Sequence, residues 1–320
     1  MGRFILRRVA VSILMLAATS VLVFIVLRWL PGDPVITRLG STPGVDEELI
    51  RQLRQDAGLE DPIVTQYLSW VGGLLQGDFG QSYFNQFSVG ELIGQRIPAT
   101  LEVTLLSILL ALVVAVPAAV AASLRPRGRL DRILTALATA GMALPQFLIG
   151  ILLIVVFAVQ LEWLPARGYV AFSTSPVENL TRLVLPATTL AIAAAPLLMR
   201  FLRESMIDAL AAPYIRTAEG KGAPRRTVVL GHALRNAMIP GLTILGLIVG
   251  YTLGGVVIIE YVFGIPGLGS LAIDAVFKRD YAVLQSVVLL VSALFIVTSL
   301  LVDLAYGVLD PRLRVGRSRG

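Results

Sequence analysis

Few residues in this 320-residue chain could do chemistry. His232 is the only histidine and cysteine is absent, so the chain alone cannot build a His-based catalytic dyad or a thiolate metal site. Gly220-Lys221-Gly222 falls short of a phosphate-binding loop, because Ile215 stands where that loop needs a glycine and Gly222 where it needs Ser or Thr. These patterns argue against an ATPase or an intramembrane protease. We expect no catalytic residue, no metal and no cofactor on this chain, and His232 as a packed residue rather than a proton switch.

The chain does concentrate positive charge in residues 200–236. Pro213 is expected to open a short helix that Gly222 ends, and Pro224 to open a second that runs through Arg235. Two short helices at an angle form a knob that can fit a groove in a partner and pass a rigid-body motion into a larger bundle. The alternative is a solvated basic turn that only fixes topology.

The elements that would carry this knob are membrane helices. The chain is 56 % hydrophobic and 15 % charged, with a mean hydropathy of +0.80, unlike a soluble domain. A helix needs about 20 apolar residues to cross the hydrocarbon core. Six uncharged runs reach or approach that length: Val9 to Leu27, Val103 to Leu124, Ile133 to Leu161, Leu183 to Met199, Ala237 to Ile259 and Tyr281 to Val302.

Prolines distinguish two of these runs. Pro145 in the third run predicts a kink, because its ring removes a hydrogen bond within the helix. Pro186 and Pro196 in the fourth favour a helix packed inside a bundle over one that faces lipid. The first run is longer than the apolar part of a secretory signal, so we expect an uncleaved first helix.

Most of the 27 basic residues lie in alternate gaps between the runs, at residues 3–8, 125–132, 200–235 and 312–319. Cytoplasmic loops retain Lys and Arg, so both termini are expected in the cytoplasm. Topology thus explains the net charge of +6, and we expect membrane lipid and no nucleic acid as a partner.

The predicted organisation has five parts. Residues 1–8 form a cytoplasmic N-terminus, 9–30 the first transmembrane helix, and 31–99 an external loop. Within that loop, Asp46 to Ala57 and Ile63 to Leu75 predict short helices. Residues 100–310 hold the five other helices and the cytoplasmic loop 200–236, and residues 311–320 form a tail. The external loop is either a lid over the bundle or a landing surface for a soluble binding protein.

Glycines of the fifth run could serve packing or transport. Gly246, Gly250 and Gly254 recur at four-residue spacing, with Gly255 beside them, and this spacing allows close approach of helices. The alternative is a gate that lines a translocation path.

Acidic residues are scarce within the runs. Only Glu102 and Asp303 approach the bilayer centre, and both are expected near a helix end, where pairing or interfacial exposure is favoured over a proton relay. The lack of central charge favours a conduit driven by partners over a proton-coupled carrier.

The basic loop also resembles a known element. Permease subunits of ABC importers dock on their ATPases through a loop of the form Glu-Ala-Ala, three residues, Gly, nine residues, Ile-x-Leu-Pro. Ala218, Gly222 and Leu234 keep this general pattern. The departures resemble the dipeptide and oligopeptide importers, in which Arg-Thr-Ala and His-Ala-Leu-Arg-Asn-Ala recur. The resemblance implies an ATPase-coupling loop made of Tyr214, Arg216, Thr217, Ala218, Lys221, Gly222, His232, Leu234, Arg235 and Asn236.

Other motifs extend the resemblance over nearly the full length. They include Pro31-Gly32-Asp33-Pro34, Gly77-Asp78-Phe79-Gly80, Leu144-Pro145-Gln146-Phe147, Glu260 with Pro266-Gly267-x-Gly269, and Asp310-Pro311-Arg312. No one motif is specific, but their order and spacing together are.

The resemblance implies an all-α membrane protein with six transmembrane helices in the type I ABC importer permease fold, in the bacterial inner membrane. It implies a second homologous permease subunit, one or two ATPase subunits that bind ATP and Mg, and an external substrate-binding protein. The expected function is half of a translocation path for di- and oligopeptides, with alternating access driven by the ATPases. The alternatives are the same machinery importing nickel or glutathione, and a secondary transporter working alone.

Overall fold

The computed structural model of the chain describes residues 2–29, 47–56 and 58–309. This part is almost entirely helical, with one isolated bridge between Gln81 and Ser88. The motifs at 31–34 and 310–312, the tail 311–320, and the predicted helix ends Asp46 and Ala57 lie outside the described residues.

The helices are listed here in chain order: α1 Gly2–Trp29, α2 Glu47–Asp56, α3 Ile63–Leu75, α4 Val89–Ser123, α5 Arg129–Ala143, α6 Gln146–Leu153, α7 Pro176–Ala211, α8 Pro213–Gly220, α9 Arg235–Phe263, α10 Leu268–Lys278 and α11 Tyr281–Leu309. Two π-helical segments adjoin them, Ile154–Gln160 after α6 and Thr227–Leu234 before α9. Both short helices predicted before α4 are present, as α2 and α3.

Within the described residues, five helices are long and apolar enough to cross a membrane: α1, α4, α7, α9 with its π-helical segment, and α11. A sixth crossing is possible where α5 and α6, with the segment that follows, form a pair bent by 102°. Leu144 and Pro145 are extended at this bend, because the ring of a proline disfavours helical geometry in the residue before it. The kink predicted at Pro145 is confirmed, as a complete break between two helices.

Several helices extend beyond the boundaries predicted for them. Helix α4 begins at Val89 rather than Val103, so residues 89–99 belong to a helix and not to the loop assigned to 31–99. Helix α1 begins at Gly2, inside the predicted N-terminal segment 1–8, and α7 spans Pro176–Ala211 rather than Leu183 to Met199. Counting uncharged residues stops at the first charge, whereas a helix continues wherever that charge has a partner or reaches the interface.

Helix α7 lies at the centre of the bundle, packed on α4, α9, α5 and α6. Most of its apolar window is buried, including Pro186 and Pro196, which confirms the prediction of an inner helix. Alanines of α4 and α7 line much of this contact, and their small side chains let the helices approach closely. Helix α1 packs mainly on α11, while α10 contacts α9, α11 and α4.

The connections define two ends of the bundle. The basic end carries residues 124–128, between α4 and α5, and the stretch 200–236. The opposite end carries residues 76–88, 161–175 and 264–280.

Candidate functional site

Helix α8, at the basic end, is bounded by two local signals. Ala212 is extended, and Pro213 then occupies the first helical position, where its missing N–H costs nothing. At the other end Gly222 has φ +80°. Its N–H donates to Glu219 O at 2.9 Å and the Ala223 N–H donates to Ala218 O at 3.1 Å, which is a Schellman ending. The roles predicted for Pro213 and Gly222 are both confirmed.

The second short helix of the predicted knob has a different form. Helical structure resumes at Arg225, passes through the π-helical segment Thr227–Leu234 and continues without interruption into α9. The prediction of an independent helix ending near Arg235 is wrong, because no glycine or proline follows to stop it until Pro240, which the helix accommodates. The knob is therefore one short helix held against the extended start of a long membrane helix.

Helix α8 is anchored by a buried side chain. Ile215 is 2 % exposed and belongs to a core cluster with Leu202 of α7 and Val228 of the π-helical segment. Ala218 and Leu234, both predicted site residues, are partly buried against the same cluster. They thus lie beneath the loop surface and fix α8 to its neighbours. Ile215 is not among the predicted site residues, although its place three residues before Ala218 puts it on the same helix face.

The eight other predicted residues are exposed and form what we call the coupling surface: Tyr214, Arg216, Thr217, Lys221, Gly222, His232, Arg235 and Asn236. The expectation that His232 is a packed residue is therefore wrong, because its side chain lies on the outer face of the helix and not on the buried face that carries Val229 and Ala233. Thr217 Oγ1 donates to Pro213 O at 3.2 Å, and Asn236 Nδ2 donates to His232 O at 2.8 Å, so both side chains bond within their own helices. Arg216, Lys221 and Arg235 form no ion pair with any residue that the structure describes. This basic surface can therefore accept an acidic partner.

An ion pair joins α5 to α7 at the same end. Asp131 is 4 % exposed and accepts hydrogen bonds from Arg203 Nε at 2.5 Å and Arg203 Nη2 at 2.6 Å. The Arg127 N–H adds a third at 2.7 Å and Thr135 Oγ1 a fourth at 3.3 Å. A cavity of about 750 Å³ beside the pair is lined mostly by small residues of α5. Arg203 was predicted only as one of the charges that fix topology. The sequence signal for the pair is Asp131, a single acidic residue among the arginines at 125–132.

A buried carboxylate organises the opposite end. Glu260, in the last turn of α9, is fully buried and accepts hydrogen bonds from Thr100 Oγ1 at 2.6 Å and the Ser270 N–H at 3.0 Å. Thr100 Oγ1 in turn accepts the Leu268 N–H at 2.8 Å. A Cβ on Gly267 would overlap the Glu260 carboxyl group, so a larger residue there would displace that carboxyl group from its hydrogen bonds. This network ties α4, α9 and the start of α10 together, and accounts physically for the glycine in the Pro-Gly-x-Gly motif.

Glu102 lies well inside α4, because that helix starts earlier than predicted, so its expected position near a helix end is wrong. Its expected pairing is present. Glu102 Oε2 accepts a hydrogen bond from Asn179 Nδ2 at 2.7 Å and another from the Tyr169 hydroxyl at 3.0 Å. Burial, together with the hydrogen bond to Glu102, raises the pKa of Tyr169 to about 12. The side chain of Asp303 lies outside the described part of the chain.

The four glycines of α9 that the sequence singled out divide between two surroundings. A Cβ on Gly246 would lie 3.2 Å from Val302, and one on Gly250 would overlap the Phe295 ring, so both glycines admit side chains of α11. A Cβ on Gly254 would meet nothing within 4 Å, whereas one on Gly255 would overlap the Gln146 amide that follows the α5–α6 break. Helix packing thus accounts for Gly246 and Gly250. Gly254 faces open space, and Gly255 faces Gln146 at the start of α6.

Comparisons with known proteins agree with this architecture. Residues 107–315 match the family model described as "Binding-protein-dependent transport system inner membrane component", and residues 1–104 match the model of the corresponding N-terminal region.

Curated relatives resemble the chain over nearly its whole length. A probable peptide ABC transporter permease of Sinorhizobium fredii is 38 % identical over 98 % of this chain and 100 % of its own. The oligopeptide transport system permease AppB of Bacillus subtilis is 37 % identical, and the glutathione transport system permease GsiC of Escherichia coli K12 is 38 % identical, each over 98 % of this chain and 99 % of its own.

A solved structure shares the fold. A chain of the MetNI methionine ABC transporter, in an inward-facing conformation, matches with a TM-score of 0.58 and 17 % identity, over 68 % of this chain and 96 % of its own. The likeness confirms the ABC importer permease fold that the sequence predicts.

Proposed function

The chain belongs to the family of inner membrane components of binding-protein-dependent transport systems, and from that premise we propose that peptides are its substrate. It is a multi-pass inner-membrane permease of an ATP-driven importer. The observation that carries the peptide proposal is the match over 98 % of the chain to permeases named for peptides and oligopeptides. Glutathione, a tripeptide, is the second candidate, because a glutathione permease matches equally well. Nickel is an alternative that the same assay tests.

The proposed complex follows from the family and from the charge of the chain. The basic end and both termini face the cytoplasm, since Lys and Arg are retained there. A second homologous permease subunit completes the translocation path, one or two ATPase subunits hold ATP and Mg, and a binding protein delivers substrate at the opposite end. The chain itself performs no catalysis, binds no metal or cofactor, and has no nucleic-acid partner.

The coupling surface docks on the ATPase in this proposal. Its unpaired cations Arg216, Lys221 and Arg235 suit an acidic groove, and Tyr214 adds an exposed aromatic ring. Beneath it, Ile215 joins α8 to α7 and to the helix that continues as α9. A displacement of α8 by closing ATPases would therefore reach two membrane helices directly, as a rigid-body motion.

The path side of α9 is proposed to be the face that bears Gly254 and Gly255. Tyr251, one turn from Gly255, is exposed in the middle of this membrane helix, and a phenol is costly to place against lipid. The Gln146 amide beside Gly255 makes no hydrogen bond within the described residues. A hydrated path accommodates both polar groups, so we assign the possible gate to Gly254 and Gly255 and a packing role to Gly246 and Gly250.

The first test is purification of the tagged chain from its native membrane, with identification of copurifying subunits and assay of ATP hydrolysis. Hydrolysis is measured with the matching binding protein and a panel of di- and oligopeptides, glutathione and nickel. A second permease, ATPase subunits and stimulation by peptides are expected. Stimulation only by glutathione or nickel would contradict the peptide proposal, and the absence of any ATPase would favour a secondary transporter working alone.

A matched pair of variants tests the coupling loop. Gly222→Ala places a Cβ at φ +80°, which costs about 1 kcal/mol, whereas Gly220→Ala adds the same atom to ordinary helix in open space. We expect Gly222→Ala to insert normally but to lose most substrate-stimulated ATP hydrolysis, and Gly220→Ala to match the wild type. Equal activity of the two variants would contradict a shape-dependent coupling role for this turn.

A further inference from the structure

Helix α9 and the π-helical segment before it contain a weakened stretch, residues 227–241. It opens with the π-helical segment Thr227–Leu234, in which each hydrogen bond spans one residue more than in an α-helix. Pro240 follows inside α9 and has no N–H, so it cannot donate to the Asn236 carbonyl four residues before it. Both features are known causes of bends in long helices, so this stretch can bend more easily than a regular α-helix.

A side chain takes part in the backbone bonding where the π-helical segment passes into α9. His232 O accepts hydrogen bonds from the Arg235 N–H and from Asn236 Nδ2, the latter at 2.8 Å. A side-chain amide that bonds to a backbone carbonyl offers an alternative to the regular hydrogen bonds of a helix. The junction is therefore held in part by a side chain, which can release the carbonyl while the backbone bonds of α9 remain.

The buried face of the same stretch carries small residues. Between positions 233 and 241 the buried residues are Ala233, Ala237 and Gly241. A Cβ on Gly241 would lie 4.0 Å from Leu202 of α7, which is an ordinary contact, so no large side chain interlocks the two helices at this point. Packed helices can slide over each other by small amounts, and shallow side chains leave this stretch free to do so.

The two flanks of the stretch are fixed to different parts of the molecule. On the coupling side, Val228 belongs to the core cluster that holds Ile215 of α8. On the far side, the Phe295 ring of α11 fills the space over Gly250, and the hydrogen bonds of Glu260 tie α9 to α4 and α10. A displacement of α8 therefore acts on one flank, while α11, α4 and α10 hold the other.

We propose that residues 227–241 form a hinge, at which the coupling end of the long helix bends with α8 while the part of α9 beyond Gly241 keeps its place. The hinge rests on the proposed docking of an ATPase at the coupling surface, and it adds the point at which α9 absorbs the displacement. Because the bend lies before Gly254 and Gly255, the cytoplasmic end of α9 moves relative to the proposed gate. Neither the family membership nor the proposed peptide import assigns this role.

Paired spin labels test the hinge in the purified transporter complex, assembled with cysteine-free partner subunits. The chain has no cysteine, so Leu230→Cys/Leu247→Cys labels two exposed positions on either side of Pro240, about 25 Å apart along the helix. The control pair Thr243→Cys/Tyr261→Cys lies wholly beyond the hinge, about 27 Å apart. Between the nucleotide-free complex and the complex with a non-hydrolysable ATP analogue, we expect the first distance to change by more than about 2 Å and the second to stay constant. An unchanged first distance, or an equal change in both pairs, would overturn the hinge.

A proline variant tests whether the hinge serves coupling. Pro240→Ala restores an N–H inside the helix, so the variant should fold at least as well as the wild type. Pro117→Ala is the matched control, because Pro117 is also exposed inside a membrane helix, α4, but has no π-helical segment beside it.

We expect Pro240→Ala to lose most of the distance change and to lower substrate-stimulated ATP hydrolysis at least about fivefold, with basal hydrolysis kept and Pro117→Ala within about twofold of the wild type. Equal behaviour of the two variants in a complex that hydrolyses ATP would overturn the hinge alone. A purified complex without any ATPase would overturn the proposed docking and the hinge with it.

Discussion

The Asp131–Arg203 pair offers a quantitative test of how the basic end is held together. Replacing Arg203 with Met keeps most of the packing volume but leaves a carboxylate that is 4 % exposed without its cation. Removing one partner of a buried pair typically costs about 3–5 kcal/mol. Arg203 is itself 20 % exposed, and Asp131 keeps the Arg127 N–H and the Thr135 hydroxyl, so we expect about 2–3 kcal/mol.

The effect is measured as a double-variant cycle in purified complex. Arg203→Met should lower the midpoint of thermal unfolding by about 4–8 °C, and Asp131→Asn by less, because the freed arginine can reach water. The double variant Asp131→Asn/Arg203→Met should recover part of the loss, since neither charge is then stranded. Arg200→Met is the control, because Arg200 is exposed on the same helix.

The same variants report on coupling. The pair fixes α5, and hence the segment before the Pro145 break, to the part of α7 that leads into α8. We therefore expect Arg203→Met to lower substrate-stimulated ATP hydrolysis more than basal hydrolysis. Additive stability losses with no recovery in the double variant, or a midpoint for Arg203→Met equal to that of Arg200→Met, would refute this reasoning.

Two further predictions concern packing and ionisation. Gly250→Ala should destabilise the purified protein by about 1–3 kcal/mol because its Cβ would overlap the Phe295 ring, whereas Gly254→Ala, in open space, should not; equal thermal midpoints would contradict the packing assignment. With its pKa raised to about 12, Tyr169 binds more protons in the folded than in the unfolded state between pH 10 and 12, so its contribution to stability is complete below pH 10 and is lost as the pH rises through that window. The ultraviolet difference spectrum between wild type and Tyr169→Phe should show no tyrosinate from Tyr169 at pH 10.5, and a full signal there would contradict the hydrogen bond to Glu102.

The sequence predicts the parts of the fold that depend on local chemistry. Apolar run length identifies the membrane helices, and the proline at 145 identifies the break, because both effects act within one helix. Pro213 and Gly222 bound α8 for the same reason, through backbone geometry that each residue sets for itself. Helix ends are predicted poorly because an uncharged run ends at the first charged residue, whereas the helix continues past a charged side chain that has a partner or reaches the membrane interface.

Contacts distant in sequence could not be predicted in this way. Arg203 meets Asp131 across 72 positions, and Thr100 meets Glu260 across 160, so only the packed bundle brings each pair together. The coupling loop shows the same limit: the exposed residues were identified, but Ala218 and Leu234 turn inward because of core neighbours supplied by other helices. The continuation of the loop into α9 is different, because a local signal was available: no proline lies between Arg225 and Ile239, and the one glycine there, Gly231, does not end the helix.

Site-specific crosslinking tests most directly whether the coupling surface contacts an ATPase, as we propose. The chain has no cysteine, so Lys221→Cys introduces a single reactive thiol, and Phe277→Cys, exposed at the opposite end, is its control. In native membranes treated with a short thiol-to-amine crosslinker, we expect Lys221→Cys to yield a product with an ATPase subunit that depends on the nucleotide state, and Phe277→Cys to yield none. Crosslinking of both positions to the ATPase, or of neither, would contradict the account.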